Sequence, residues 1–463
     1  MTIAKIGVQN KFCALEHLSI QKLGEQINNQ ELDPRHLVEY FLDKIDRDSE
    51  KDLIFIEIYR EEALQAAQAA YQRAKEHRRL SWYDGIPLVW KDNFNIQGKP
   101  TTAGLKVFQD KIATENAVIY QIAVESGLIC LGKTNMTELA FSGLGINPNF
   151  GTPSNPFDLD KKRVPGGSSS GSAIAVAKGL CCVAIGTDTG GSIRTPAAWN
   201  NLVGLKTTAG LLPTEGIIPL SQTLDTVGFL TRTIEDAASL YNLFTRTENT
   251  NLSHLKLADI NLLVCQTTVW EQINQEVLEK LTTFIENIAT KGIKIHSDAI
   301  VEFEQVCELI NRQGNIVSYE ASQNWLKFLE ANPECISPDI FERFSLGATL
   351  NKSDIEQVHQ GLYILQQQYL QRTHDYQVVL MPTVVSLPPV INELEQDSQK
   401  YQAENLLSLR NTRLVNLLGL CALSLPIGMT DSGLPIGLML VAPPFSENLL
   451  LTVGAILENL VYS

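Results

Sequence analysis

Residues 165–199 read Pro165-Gly-Gly-Ser-Ser-Ser-Gly-Ser-Ala-Ile-Ala-Val-Ala-Lys-Gly-Leu-Cys-Cys-Val-Ala-Ile-Gly-Thr-Asp-Thr-Gly-Gly-Ser-Ile-Arg-Thr-Pro-Ala-Ala-Trp199. Two glycine-framed serine clusters, at 166–172 and 186–192, flank a helical pattern over 171–179 and a continuous apolar run over 181–185. The first has the spacing of a helix and the second that of a buried strand, so this stretch is a loop–helix–strand–loop unit. Glycine lets backbone approach a ligand and lets N–H groups converge, and serine supplies a hydroxyl that attacks or relays a proton. Both clusters have the parts of an acyl-transfer site.

Outward from this unit, apolar runs predict strands near 86–91, 128–131, 202–206 and 377–381, alternating with helical patterns near 115–126, 233–246 and 352–372. Asn416–Pro426 and Gly433–Val441 read as two further core strands. Asp33-Pro34 marks an N-cap and first helical position, with Leu37, Phe41, Leu42 and Ile45 on one face, and 61–79 continues the helical pattern. The alternation predicts an α/β fold, a mixed β-sheet core covered on both faces by helices. With no linker or repeat in 463 residues, the whole of 1–463 reads as one domain. Its expected parts are an N-terminal helical arm over 1–80, a catalytic core segment over 81–240, a helical cap over one side of the sheet at about 270–375, and a return to the sheet over 376–463.

A net charge of −15, spread along the chain, disfavours nucleic-acid phosphates and anionic membranes as direct partners. The eight cysteines (Cys13, Cys130, Cys181, Cys182, Cys265, Cys307, Cys335 and Cys421) show no C-x-x-C spacing and sit mostly in apolar runs, which reads as reduced thiols rather than disulfides or zinc ligands. Residues 1–25 are too polar for a signal peptide, and no 18-residue apolar stretch follows. A cytoplasmic enzyme with no metal and no cofactor is expected.

Three short motifs compete. Gly127-Leu-Ile-Cys-Leu-Gly-Lys-Thr134 matches the phosphate-cradling P-loop pattern, but its middle residues are themselves an apolar strand, so no cradle is expected. Gly167–Gly171 matches the G-x-S-x-G elbow with Ser169 as nucleophile; it would need a histidine such as His254, His296, His359 or His374, none of which has a glycine-framed setting. In the second cluster the N–H groups of Thr189, Gly190, Gly191 and Ser192 are placed to converge on an oxyanion, while Asp188 and Arg194 read as a buried pair holding the turn. Lys91 closes the Ile86–Trp90 run, and a desolvated lysine is a base near neutral pH.

Taken together, Gly85-Ile-Pro-Leu-Val-Trp-Lys-Asp-Asn93, Gly132-Lys-Thr-Asn-Met-Thr-Glu138, Pro165-Gly-Gly-Ser-Ser-Ser-Gly-Ser172 and Gly186-Thr-Asp-Thr-Gly-Gly-Ser-Ile-Arg194 resemble the amidase signature family in order and spacing. Weaker similarity extends from about residue 20 to Glu458. The resemblance implies the amidase-signature fold and a Ser–cisSer–Lys triad. In it Ser192 is the nucleophile, Ser168 the bridging serine on a cis peptide bond, and Lys91 the base that then protonates the leaving amine. An acyl-enzyme would form under the N–H groups of residues 189–192 and be cleared by water.

Arg343, in Arg343-Phe-Ser-Leu-Gly347, resembles the arginine that the glutamine-using amidotransferase A subunit sets against its substrate's carboxylate. Where that protein reads the amino group of glutamine with an aspartate, this chain carries Leu409. The first expectation is therefore a stand-alone amidohydrolase acting on a small carboxamide. The alternatives are the glutaminase subunit of a tRNA-dependent amidotransferase, a carboxybiuret- or allophanate-type hydrolase of urea-derived acids, and an esterase using Ser169. Compatible with this reading are a homodimer and a small helical partner subunit.

Overall fold

The computed structural model describes residues 15–248, 250–253 and 255–461; Cys13 and His254 lie outside these. Eleven strands form one sheet: β1 (Phe55–Ile58), β2 (Pro87–Lys91), β3 (Ile129–Thr134), β4 (Val183–Asp188), β5 (Val203–Lys206), β6 (Thr226–Thr231), β7 (Asn261–Cys265), β8 (Lys294–Asp298), β9 (Val378–Pro382), β10 (Cys421–Met429) and β11 (Pro435–Ala442). Their order is β1-β3-β2-β4-β6-β5-β10-β11-β9-β7-β8. The sheet is mixed: β2 runs parallel to β3 and β4, and β7 to β8 and β9, whereas the central hairpin β10–β11 and its neighbours are antiparallel.

Period-two alternation divides the core between the two faces. Leu262, Val264, Val378, Leu380, Leu438 and Leu440 point into one apolar cluster, and Leu263, Cys265, Val379, Met381, Met439 and Val441 into the other. The first cluster is closed by the N-terminal helices, Ser170–Ala177, Ile234–Thr245, Gln275–Thr290 and Glu447–Val461. The second is closed by the helices between Val301 and Thr373 and by Ser398–Leu417.

Three expectations change. The 270–375 segment is not a cap on one side only, because Val277, Leu281, Phe284 and Ile288 put helix Gln275–Thr290 on the face opposite the helices that follow β8. The N-terminal arm is interrupted by β1, which pairs with β3, and its last helix ends at Lys75. Asn416 and Leu417 finish helix Ser398–Leu417 rather than open a strand; the chain turns at Gly419 (φ +63°) before β10 starts at Cys421. No helix among the described residues is long and apolar enough to cross a membrane.

Candidate active site

Parallel neighbours β2 and β4 carry Lys91 and Asp188 at their C-terminal ends, where open α/β sheets leave a crevice for ligands. Lys91 is fully buried, with Nζ 2.7 Å from Ser168 Oγ and 2.8 Å from Thr187 Oγ1. Asn93 Nδ2 also donates to Thr187 Oγ1, at 3.0 Å. Burial pushes the Lys91 ammonium down to about 7; Asp225 and Asp188 oppose this through space without pairing with it.

Ser168 follows a cis peptide bond from Gly167 and stands just before helix Ser170–Ala177. The two serine clusters meet directly: the Ser169 N–H donates to the Ser192 carbonyl at 3.3 Å, and Ser169 Oγ to the Thr187 carbonyl at 3.4 Å. Position 186 must be glycine for this approach, since a Cβ there would fall 2.7 Å from Ser169 Oγ.

The turn 188–194 is shaped by charge. Asp188 accepts from the N–H groups of Gly191 (2.8 Å) and Ile193 (3.1 Å), from Arg194 Nε (3.1 Å) and Nη2 (3.0 Å), and from Asn416 Nδ2 (2.9 Å). Burial alone would raise its pKa, but Arg194, Lys206 and Asn416 reverse this and hold the carboxyl below the usual range. The expected convergence of four N–H groups is corrected here: Gly191, at φ +139°, turns its N–H to Asp188 and away from any ligand. The N–H groups of Thr189, Gly190 and Ser192 have no partner among the described residues and remain available to an oxyanion. Asp225 supports the turn from behind, accepting from Thr189 Oγ1 and from the N–H groups of Leu220 (2.9 Å) and Ser221 (3.1 Å). Burial pushes its pKa up to about 6, against these hydrogen bonds.

Ser192 opens onto a pocket that it lines with Thr189, Gly190, Phe141, Leu409, Arg343 and Arg413, among others. Lys91 and Ser168 are fully buried and out of contact with solvent. The pocket is thus lined by Ser192 and by the turn that carries the unspent N–H donors.

The amidase family model matches residues 36–451. A 2-amino-5-chloromuconic acid deaminase from Comamonas testosteroni is 31% identical over 81% of this chain and 82% of its own. The chain belongs to the amidase family. The mitochondrial glutamyl-tRNA(Gln) amidotransferase A subunit of Aedes aegypti is 29% identical over 96% of this chain and 97% of its own. A crystal structure of an amidase superposes with a TM-score of 0.85 at 26% identity, covering 96% of this chain and 99% of that one. The reaction is therefore hydrolysis of an amide C–N bond, and the α/β mixed sheet is the amidase-signature fold.

In this amidase the rival motifs have structural explanations. Lys133 of the P-loop-like pattern is buried in β3, ion-paired to Asp92 Oδ1 at 2.6 Å and bonded to the Pro100 carbonyl and Thr101 Oγ1. Among the described residues Ser169 has no histidine bonded to it: His359 and His374 are exposed, the latter bonded to the Gln371 carbonyl, and His296 lies on edge strand β8, also exposed. Sequence reasoning missed Thr187, Asp225, Asn405 and Arg413. Thr187 lies inside the quoted cluster, but the other three come from distant segments and carry no local pattern.

Proposed function

We propose that Ser192 attacks the carbonyl carbon of a small carboxamide while its proton passes through Ser168 to a neutral Lys91. The tetrahedral oxyanion is held by the N–H groups of Thr189, Gly190 and Ser192, each such donor contributing typically about 3–4 kcal/mol to the barrier reduction. Collapse breaks the C–N bond, the departing nitrogen takes the proton back from Lys91 through Ser168, and water hydrolyses the acyl-enzyme by the same relay in reverse. The observation that carries this reading is the 2.7 Å contact between Ser168 Oγ and a lysine that burial has brought to about 7, beside a pocket-lining Ser192 whose carbonyl accepts from the neighbouring Ser169 N–H. Arg343 in that pocket supports a substrate bearing a carboxylate, as does the relative named for an acid. Among the described residues no carboxylate side chain lines the pocket, which favours stand-alone hydrolysis over reading the ammonium of glutamine. The seven described cysteines are free, as suits a reducing cytoplasmic compartment.

Hydroxylamine trapping tests the acyl-enzyme. Wild type should convert an accepted amide to its hydroxamate; Ser192→Ala should abolish both this and hydrolysis, while Ser169→Ala keeps substantial activity. The reverse pattern would move the nucleophile to Ser169. Glutamine turnover that rises with charged tRNA and partner chains would instead favour a role within an amidotransferase.

A further inference from the structure

Among the described residues, three buried donor nitrogens on side chains lining the Ser192 pocket have no hydrogen-bond partner: Arg343 Nη1, Arg413 Nε and Asn405 Nδ2. The amide of Asn405 cannot be turned to hide its donor, because its Oδ1 already accepts from the Gly143 N–H at 2.8 Å and from Ser142 Oγ at 3.0 Å. Neither arginine has an ion pair or hydrogen bond among the described residues; Arg343 has only the face of Phe141, 4.3 Å from its guanidinium carbon. Arg194 shows what this chain does with a buried guanidinium that has no ligand to meet: it is bonded to Asp188 and Asn416. Arg343 and Arg413 are half-buried, yet each keeps a buried donor nitrogen without a partner, and such donors are unfavourable. Two of them in one pocket, with the free Asn405 donor and no carboxylate among the described lining residues, form a cradle for a ligand that supplies only acceptors. The two cations also act on each other: burial first, then the charge of Arg413, lowers Arg343 to about 10, still cationic at neutral pH.

We infer that Arg413 and Asn405 complete, with Arg343, a binding site for the carboxylate of an anionic amide that carries no ammonium group. This rests on the reading of Ser192 as the nucleophile of that pocket. Arg413 is then a specificity-determining residue. A zwitterionic substrate such as glutamine brings an ammonium toward two guanidinium groups with nothing to receive it, whereas the same skeleton without its amino group satisfies all three donors.

Glutaramate (glutamine lacking its amino group), glutamine and neutral 5-oxohexanamide separate the cases. Wild type should turn over glutaramate with the highest kcat/KM of the three. In Arg413→Met the ratio of kcat/KM for glutaramate to that for 5-oxohexanamide should fall about tenfold or more, the loss of one charge-assisted contact, mostly through KM. Arg413→Lys should recover part of it. Calorimetric binding of glutarate to the Ser192→Ala protein gives a readout that needs no turnover: it should bind, and about tenfold more weakly when Arg413→Met is added. A ratio unchanged in Arg413→Met, equal losses on both amides, glutamine preferred to glutaramate, or no glutarate binding would each overturn the inference. Full activity in Ser192→Ala would instead remove the proposed nucleophile, and the glutarate titration would still judge the carboxylate site.

Discussion

In the proposed relay Lys91 is the group that must be neutral before Ser192 can lose a proton. With its pKa brought to about 7 by burial, the active form gains population as pH rises, so kcat/KM should climb through about pH 7 and level off above it. Lys91→Met should remove the climb together with the activity, and a profile flat from pH 6 to 8 would exclude Lys91 as the base. Lys91, Ser168 and Ser192 are legible in the sequence because each sits in a short glycine- or strand-framed motif. The cradle is only one-third legible: Arg343 comes from a resemblance, whereas Asn405 and Arg413 lie on two turns of helix Ser398–Leu417 whose sequence shows no ligand pattern. The role inferred for them follows from what surrounds them, and a buried donor without a partner is a property of the folded molecule alone. The N–H of Gly191 makes the same point in reverse, since a run of free donors in sequence becomes a run with one donor committed to Asp188.

Among the elements, edge strand β1 shows why the P-loop-like pattern needs its second glycine. A Cβ at Gly132 in β3 would fall 2.2 Å from the Glu57 carbonyl of β1, and a backbone atom cannot swing aside as a side-chain tip can. Gly132→Ala should therefore displace β1, lowering stability by about 1–3 kcal/mol. Hydrogen exchange should speed up at the Tyr59 and Asn135 N–H groups, which bond to Leu131 and Ile54 across this edge; unchanged protection there would refute the account. The Asp188–Arg194 pair joins β4 to the following helix with both side chains fully buried. Arg194→Met leaves Asp188 with a buried charge short of its cation, for which about 3–5 kcal/mol of destabilisation in urea is expected. Element positions are legible where a run is uniformly apolar, as in β2, β4 and β11. They are poorly legible at 416–420, where apolar residues end a helix and begin a strand without a break in hydrophobicity, so that only the turn at Gly419 separates them.

Across the whole molecule, the helices on the second face are linked to the oxyanion turn by a chain of polar contacts. Glu320, on helix Ile316–Ala331, accepts from Ser221 Oγ, from the Thr223 N–H at 3.2 Å and from Thr223 Oγ1 at 2.9 Å. The same loop gives its Leu220 and Ser221 N–H groups to Asp225, which in turn holds Thr189. Leu220 and Val317 line the pocket on either side of this junction, so the packing of the helical layer and the aim of the proposed oxyanion donors are coupled through two carboxylates, Glu320 and Asp225. Glu320→Ala removes the carboxylate part of the tie, leaving the Asn324 Nδ2 and Trp325 Nε1 bonds to the Leu220 and Pro219 carbonyls; it opens no cavity in either apolar cluster and should cost about 1–3 kcal/mol of local stability in the loop. Its expected signature is faster hydrogen exchange over 220–225 and a several-fold lower kcat, with the midpoint of global unfolding little changed and Glu320→Gln partly restoring both. Loop exchange as slow as in wild type, or a lower unfolding midpoint with kcat per folded molecule intact, would mean that the helical layer acts on stability alone and leaves the oxyanion turn to Asp188 and Arg194.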